Sequence, residues 1–525
     1  MRLPRGQALV SAGTAFGVAL TLSVTAAGHA SAAGPTRAGG PKPGGTITES
    51  VSGGLWPTLD PATDNQDAAD SEWLSLIYGE LFQSGPGGKL LPDLATGYHY
   101  SHNGLQLDIT MRAGDKFSDG TPLTAADAAW SLNRDLAAPI AQIDFPNFAV
   151  VKKPITSSGD TLILNMKSKD AALAQAFVGS APNWVVDEAA LNKMGLKAYD
   201  QKPIGAGPFE VKTNAANSTI NLVRNPTYWQ KGRPYLAGIK VLSVGDDSTA
   251  LAAMQSGEVN VADFFGSIPD VLQVEKSKQF NVIIPPSTFY QFVSLNQKKP
   301  PFNNIKAREA LYYATNAPLL VKKLYSNFYP VVEGPTAPGE LFFYGPKVPG
   351  YLNYNLAKAK AIVKQLGGIS FDLATTSNTT YWSTEATVLK QQWAAAGINA
   401  KIVLNNLTET LQQLASNNWQ ALDSNWGGDT DPGLALPYYF SSTGGATGIH
   451  SAALDNLMQE GISTFDPEGR AKIYKEIGEM MAKNADAVFL YNKPFLLLAT
   501  KNIGWLPTNA KKYGEILWQD VYLNS

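Results

Sequence analysis

The chain reads as an α/β protein built from more than one domain. Its 525 residues exceed the size of one ordinary domain and suggest two to four. Strand-like alternation and helix-like periodicity follow one another in several separate blocks, the pattern of mixed or parallel sheets covered by helices. A hydrophobic share of 44% with 16% charged residues suits large soluble cores and argues against disorder or a fibre. A net charge of −2 provides no basic face, so nucleic acid is not an expected partner.

Residues 1–32 have the form of a secretory signal: Arg2 and Arg5 open it, a run from Ala8 to Ala27 is apolar, and Ala30-Ser31-Ala32 gives a small-x-small cleavage site. A membrane anchor is the weaker reading, because the run is rich in small residues and no basic stop-transfer segment follows it. Residues 33–44, rich in Gly and Pro, read as a flexible leader. The chain has no cysteine, which excludes a cysteine nucleophile, cysteine-ligated metals, disulfides and a lipid-modified cysteine. The expected product is secreted, on the extracellular or periplasmic side, without a lipid anchor.

Residues 46–51 alternate as a strand, Leu59-Asp60-Pro61 breaks the pattern, and residues 73–82 form an apolar helix-like run. The polar loop between them, with Asn65, Gln66 and Asp67, is a candidate pocket rim, although such loops usually only face solvent. Residues 105–112 alternate as a half-buried strand, Asp119-Gly120 marks a turn, and Thr124 with Asp127 forms a capping box at the start of a helix. Residues 239–244, 248–255 and 259–262 read as strand, helix and strand, with Gly257 as the C-cap. A strand over 292–296 leads to a helix carrying Arg308, Ala310, Leu311 and Ala314. Asn355 starts another helix, ended by Gly367-Gly368. Residues 383–396 form a helix capped by Gly397, followed by a strand over 398–404. Asp466-Pro467 opens a late helix, and 488–491 is an apolar strand.

Several blocks resemble one known family. Leu91-Pro92-Asp93-Leu94-Ala95 and the run from Met111 to Asp127, with Gly114-Asp115-Lys116-Phe117-Ser118-Asp119-Gly120-Thr121-Pro122-Leu123-Thr124, look like the signature of the family 5 extracellular solute-binding proteins. Gly205-Ala206-Gly207-Pro208, Arg224-Asn225-Pro226-Thr227-Tyr228-Trp229 and Pro300-Pro301-Phe302-Asn303 follow in the same order. These are the receptors of ABC importers for dipeptides, oligopeptides, nickel chelates and some oligosaccharides. The resemblance covers about residues 46–506. It implies a two-lobed periplasmic-binding-protein-like fold of type II, cluster C, with an extra inserted domain. One lobe would take 45–81, 205–290 and 494–525, with 82–204 as the inserted side domain; the second lobe would take 291–493. A ligand in the cleft would favour a closed form, and permease subunits of the importer would be the protein partners of a monomeric receptor.

The stretch Asn425-Trp426-Gly427-Gly428-Asp429-Thr430-Asp431-Pro432 carries the candidate site. Two glycines bare the main chain, Trp426 offers a stiff apolar face and Asp429 a carboxylate, a set suited to a ligand with a cation and an apolar part. A plain Gly-Asp-Pro turn, with Asp429 or Asp431 bonded to its own backbone, is the competing local reading. The resemblance implies that Asp429 pairs with the N-terminal ammonium of a bound peptide, while Asn425 and Gly427 offer main-chain groups to it. Short-peptide members use a basic residue for the ligand's carboxylate, where this chain has Asp423 and Ser424. That departure favours a longer peptide, an amine-bearing ligand or an uncharged one. Tyr381-Trp382 at a helix start is a further candidate stacking face, or part of the core.

Enzyme chemistry has little to stand on. His99, His102 and His450 lack matching ligand sets, no Gly-x-Ser-x-Gly elbow or Walker loop occurs, and position 210 is Glu, so Gly205-x-Gly207 is not a nucleotide fingerprint. No cofactor or metal is expected. A secreted hydrolase of peptide or glycan, using a carboxylate pair, is the rival class.

Overall fold

The computed structural model describes residues 41–52, 58–63, 68–138, 146–264, 268–376, 380–427, 429–443, 448–493, 496–505 and 516–524. The signal, most of the leader, and Asn65, Gln66 and Asp67 lie outside the described residues.

Two mixed sheets dominate. The first has seven strands in the order Phe280–Ile283, Leu496–Thr500, Val261–Phe264, Thr46–Ser52, Gly238–Val244, Thr219–Arg224 and Phe209–Ala215. Thr46–Ser52 runs parallel to both Gly238–Val244 and Val261–Phe264, so the strand–helix–strand unit read from the sequence flanks the first strand of the fold. Its helix, Asp247–Ser256, is capped by the Asp246 carboxylate on Thr249 N–H and ends at Gly257, with φ +84°. The second sheet has five strands, Ile398–Asn405, Ile369–Thr376, Ala421–Trp426, Tyr290–Leu295 and Ala487–Asn492. Ile369–Thr376 is parallel to Ile398–Asn405 and Ala421–Trp426, while Tyr290–Leu295 runs antiparallel to both of its neighbours. A separate four-stranded antiparallel sheet is made from Ala95–Ser101, Gln106–Met111, Thr161–Asn165 and Thr156–Ser158.

The chain passes from the first large sheet to the second between Ile283 and Tyr290, and back between Asn492 and Leu496. These crossings are adjacent and laced together. Lys493 N–H donates to the Phe289 carbonyl at 2.9 Å, Ser287 Oγ donates to the Lys493 carbonyl at 2.9 Å, and Asn492 Nδ2 donates to the Ser287 carbonyl at 3.0 Å.

The signature blocks meet at one joint between the four-stranded sheet and the first large sheet. Arg112 lies over the Trp229 ring at 3.6 Å, and Trp229 Nε1 donates to Asp93 at 2.8 Å. Ser118 N–H donates to the Gly205 carbonyl at 2.8 Å, and Asn225 Nδ2 to the Gly207 carbonyl at 2.8 Å. A Cβ on Gly205 or Gly207 would fall 2.2 or 2.3 Å from carbonyl oxygens of the helix Ala68–Tyr78, so these glycines serve close backbone packing. The long signature is therefore scaffold. The helix expected over 73–82 stops at Tyr78, because Gly79 turns the chain at φ +70° and Phe82–Ser84 pairs as a strand with Leu90–Pro92. The Thr124–Asp127 capping box forms as read.

Candidate functional site

Trp426 is the last residue of Ala421–Trp426, so the stretch that follows lies at the carboxyl ends of parallel strands, where open α/β sheets collect their ligands. Alternation along the strand gives its two faces different work. Asp423 points to the face covered by the helix Thr380–Ala394; Trp426 points to the other, where the helix Pro432–Phe440 packs.

Asp431 forms the anchor of the loop. Its carboxylate caps Gly433 N–H at 2.8 Å and takes a two-pronged ion pair from Arg470, both contacts at 2.8 Å. Asp431 is 0% and Arg470 5% exposed, and Arg470 also donates to Tyr474 Oη at 2.7 Å and lies over the Phe342 ring. The capping half of the turn reading is thus realised by Asp431. Thr430 adds a second anchor: its carbonyl accepts from Leu341 N–H at 2.8 Å and its hydroxyl donates to Gln175 Oε1 at 2.9 Å. Gln175 belongs to Leu173–Phe177, beyond the four-stranded sheet in the chain, so the loop is held from two parts of the molecule. Ala171 N–H donating to the Ile462 carbonyl at 2.7 Å continues that contact.

Asp429 itself faces a different set. Its Oδ2 accepts from Trp426 Nε1 at 3.0 Å, which fixes the carboxylate beside the indole. Burial pushes its pKa up to about 7, against the lowering effect of the Trp426 hydrogen bond and with a further upward push from Asp431. The Trp426 ring packs on Tyr439 at 4.2 Å and Tyr438 at 5.6 Å between centroids, and Tyr438 is 47% exposed. Glu340, 3% exposed, is raised by burial and by Asp429 and Asp431; Asp170 is pushed to about 6 by burial, with Asp431 adding to the shift. Arg470 is committed to Asp431. The neighbourhood of Asp429 is accordingly electronegative and aromatic, which is chemistry for a cation: an ammonium gains a carboxylate, ring faces and relief of like-charge crowding.

The remaining candidates divide. Asn425 is half-buried and lies opposite Gln291 in the sheet. Gly427 makes room for a side chain of the protein: a Cβ there would sit 2.2 Å from Phe289 Cγ. Trp382 is half-buried near the start of Thr380–Ala394, on the face opposite Trp426, so the structure does not bring it together with Asp429. Tyr381 shares that helix, and its side chain lies outside the described residues. Under this helix Asp423 and Glu385, 4% and 0% exposed, form a buried acid pair. Gln291 Nε2 donates to Asp423 at 2.9 Å, and Tyr325 and Tyr491 donate to Glu385 at 2.9 and 2.5 Å. Burial raises both carboxyls, so the position where short-peptide members carry a base is occupied here by a proton-sharing network.

Sequence reading missed Tyr438, Tyr439, Arg470 and Phe289. The aromatic run Tyr438-Tyr439-Phe440 was a visible signal once a helix after Pro432 is admitted; Arg470 and Phe289 are distant in sequence and gave none. Among the described residues no cluster of metal-ligating side chains occurs, and no helix is long and apolar enough to cross a membrane.

Two large sheets joined by paired crossings, with an electronegative site at the ends of parallel strands, define a two-lobed solute-binding protein. Residues 89–448 match the family model described as bacterial extracellular solute-binding proteins, family 5 Middle, and the chain belongs to that family. The glutathione-binding protein GsiB of Escherichia coli (strain K12) is 26% identical over 470 residues, covering 86% of this chain and 90% of GsiB. HbpA2 of Haemophilus parasuis superposes with a TM-score of 0.80 at 22% identity, over 92% of this chain and 100% of the other. DppA of Helicobacter pylori, an ABC transporter-associated periplasmic binding protein in complex with the peptide STSA, gives 0.73 at 23%, over 92% and 99%.

Proposed function

We propose that this chain is the capturing receptor of an ABC importer for peptides or a related amine-bearing solute, working as a monomer after loss of residues 1–32. The single observation that carries the ligand class is the Asp429 carboxylate, held by Trp426 Nε1 at 3.0 Å beside Tyr438 and Tyr439 in an acidic surround. An ammonium seated there meets a full carboxylate and aromatic faces together. Relatives named for glutathione and a structure named with a bound tetrapeptide support the same chemistry, since both guests carry an amine. The hydrolase alternative finds no support among these relatives.

The lobes in this reading are 45–81 with 205–290 and 494–525, carrying the side domain 82–204, and 291–493. The laced crossings are the hinge between them. Closure brings groups of both lobes onto the guest, and the closed form is what the permease engages. Native mass spectrometry of the protein purified without denaturation identifies a retained guest. Calorimetry of that guest with Asp429→Ala then tests the site: affinity falls by about 10- to 100-fold, the worth of a charge-assisted hydrogen bond. An unchanged affinity removes Asp429 from the reading.

A further inference from the structure

Strand register sets a row of three residues along one edge of the five-stranded sheet. Tyr290 lies opposite Trp426 on one side and Asn492 on the other, so the next row outward holds Gly427, Phe289 and Lys493. Contacts agree with this: the Phe289 ring occupies the space a Cβ of Gly427 would need, and Lys493 N–H donates to the Phe289 carbonyl at 2.9 Å. With neighbouring strands roughly 4.8 Å apart, Gly427 and Lys493 are separated by on the order of 10 Å. Asp429 and Lys493 therefore flank one edge, one on each side of Phe289.

Lys493 is built into this place. Both of its backbone polar groups are used, the N–H on Phe289 and the carbonyl by Ser287 Oγ at 2.9 Å, so the side chain springs from a fixed root on the seam between the two large sheets. Alternation puts it on the face of Tyr491. Glu385 lies on that side, from the helix Thr380–Ala394, and Asp247 acts on it from the first turn of Asp247–Ser256, which belongs with the seven-stranded sheet. Glu385 is already occupied by the Tyr325 and Tyr491 hydroxyls and by Asp423. The side chain is half-buried, and desolvation holds the ammonium down at about 8 although both carboxylates pull it up. A further anion arriving there stabilises the charged form.

We propose that Lys493 receives a carboxylate of the guest while Asp429 receives its ammonium, which makes the preferred guest a zwitterion with its charges on the order of 10 Å apart, about three extended residues. Lys493 in this role supplies the base that position 423 lacks. The inference rests on the Asp429 reading above, and one set of titrations separates the two.

Trialanine and trialanine amide are titrated calorimetrically near pH 8.5, in buffers of different ionisation enthalpy, into the parent, Lys493→Met, Lys493→Arg and Asp429→Asn. The N-terminal amine is common to both peptides, so a difference between them reports the carboxylate. The parent binds the acid about tenfold or more tighter than the amide and takes up additional proton with it. Lys493→Met loses both differences and binds the amide as the parent does. Lys493→Arg keeps the affinity difference without the extra proton uptake, because guanidinium stays charged. Equal affinity and equal proton uptake for the two peptides in the parent overturn the Lys493 role, as does parental discrimination in Lys493→Met. If Asp429→Asn abolishes binding while Lys493→Met behaves as the parent, Lys493 fails and Asp429 stands. Undiminished binding in Asp429→Asn, or no binding of either peptide to the parent, overturns both.

Discussion

Replacing Gly427 by Ala drives a methyl group into Phe289. The added Cβ would lie 2.2 Å from Cγ of the ring and 2.5 Å from both Cδ atoms, where carbon contacts are comfortable at about 3.5–4.0 Å. These atoms are the root of the ring, not a flexible tip. The Phe289 backbone has little freedom to retreat: its N–H is held by Ser287 Oγ at 3.0 Å and its carbonyl by Lys493 N–H at 2.9 Å. Either the ring leaves its rotamer or the Gly427–Asp429 segment moves, and overpacking of this kind costs about 1–3 kcal/mol. Urea unfolding of the parent, Gly427→Ala, Phe289→Ala and the double variant measures it. The double variant should recover at least about 1 kcal/mol relative to additivity, since the ring that the methyl strikes has been removed. A Gly427→Ala protein within about 0.5 kcal/mol of the parent refutes the packing account and returns Gly427 to the role of a bare backbone offered to a guest.

Two further outcomes follow from the charges. Free Asp429 titrates at about 7, and an ammonium guest favours its ionised form; affinity therefore falls as pH drops below about 7, approaching tenfold per unit, and is level above 7 until the guest's own amine deprotonates near 8. Calorimetry from pH 5 to 8 checks this, and a flat profile contradicts it. The same raised value means that ionising Asp429 opposes folding, so Asp429→Asn should unfold at higher urea than the parent above pH 7 while binding worse. Arg470→Met strips the fully buried Asp431 of its partner and should lower stability by about 3–5 kcal/mol, with Asp431→Asn in the same chain restoring part of the loss.

Much of the fold was legible because its boundaries are written in local chemistry. Thr124, Asp246, Asn355 and Asp466 cap helices where a short polar side chain precedes a periodic run, and Gly257 stops one in the left-handed region. The helix Pro432–Phe440 was not legible: with Pro432 at its start, Pro437 inside and three aromatics at its end, propensity speaks against it, and packing of Leu436 and Phe440 decides. The local composition of the Trp426–Asp431 stretch announced a cation site. It did not tell Asp429 from Asp431, because the division depends on Arg470, some forty positions away. The purpose of Gly427 was hidden for the same reason, since Phe289 reaches it across the sheet. Lys493 gave no signal alone; only the register of three strands aligns it with the site.

The measurement closest to the heart of the account is the distance between the two lobes. The chain has no cysteine, so Lys212→Cys and Lys364→Cys, both at exposed positions, give one spin label on the seven-stranded sheet and one on the helix Leu356–Gln365 beside the five-stranded sheet. Pulsed dipolar spectroscopy with and without the retained guest should show the separation shifting to a different, narrower distribution, and Asp429→Ala should need far more guest to reach it. A distribution unchanged by saturating guest contradicts a receptor that closes on what it holds.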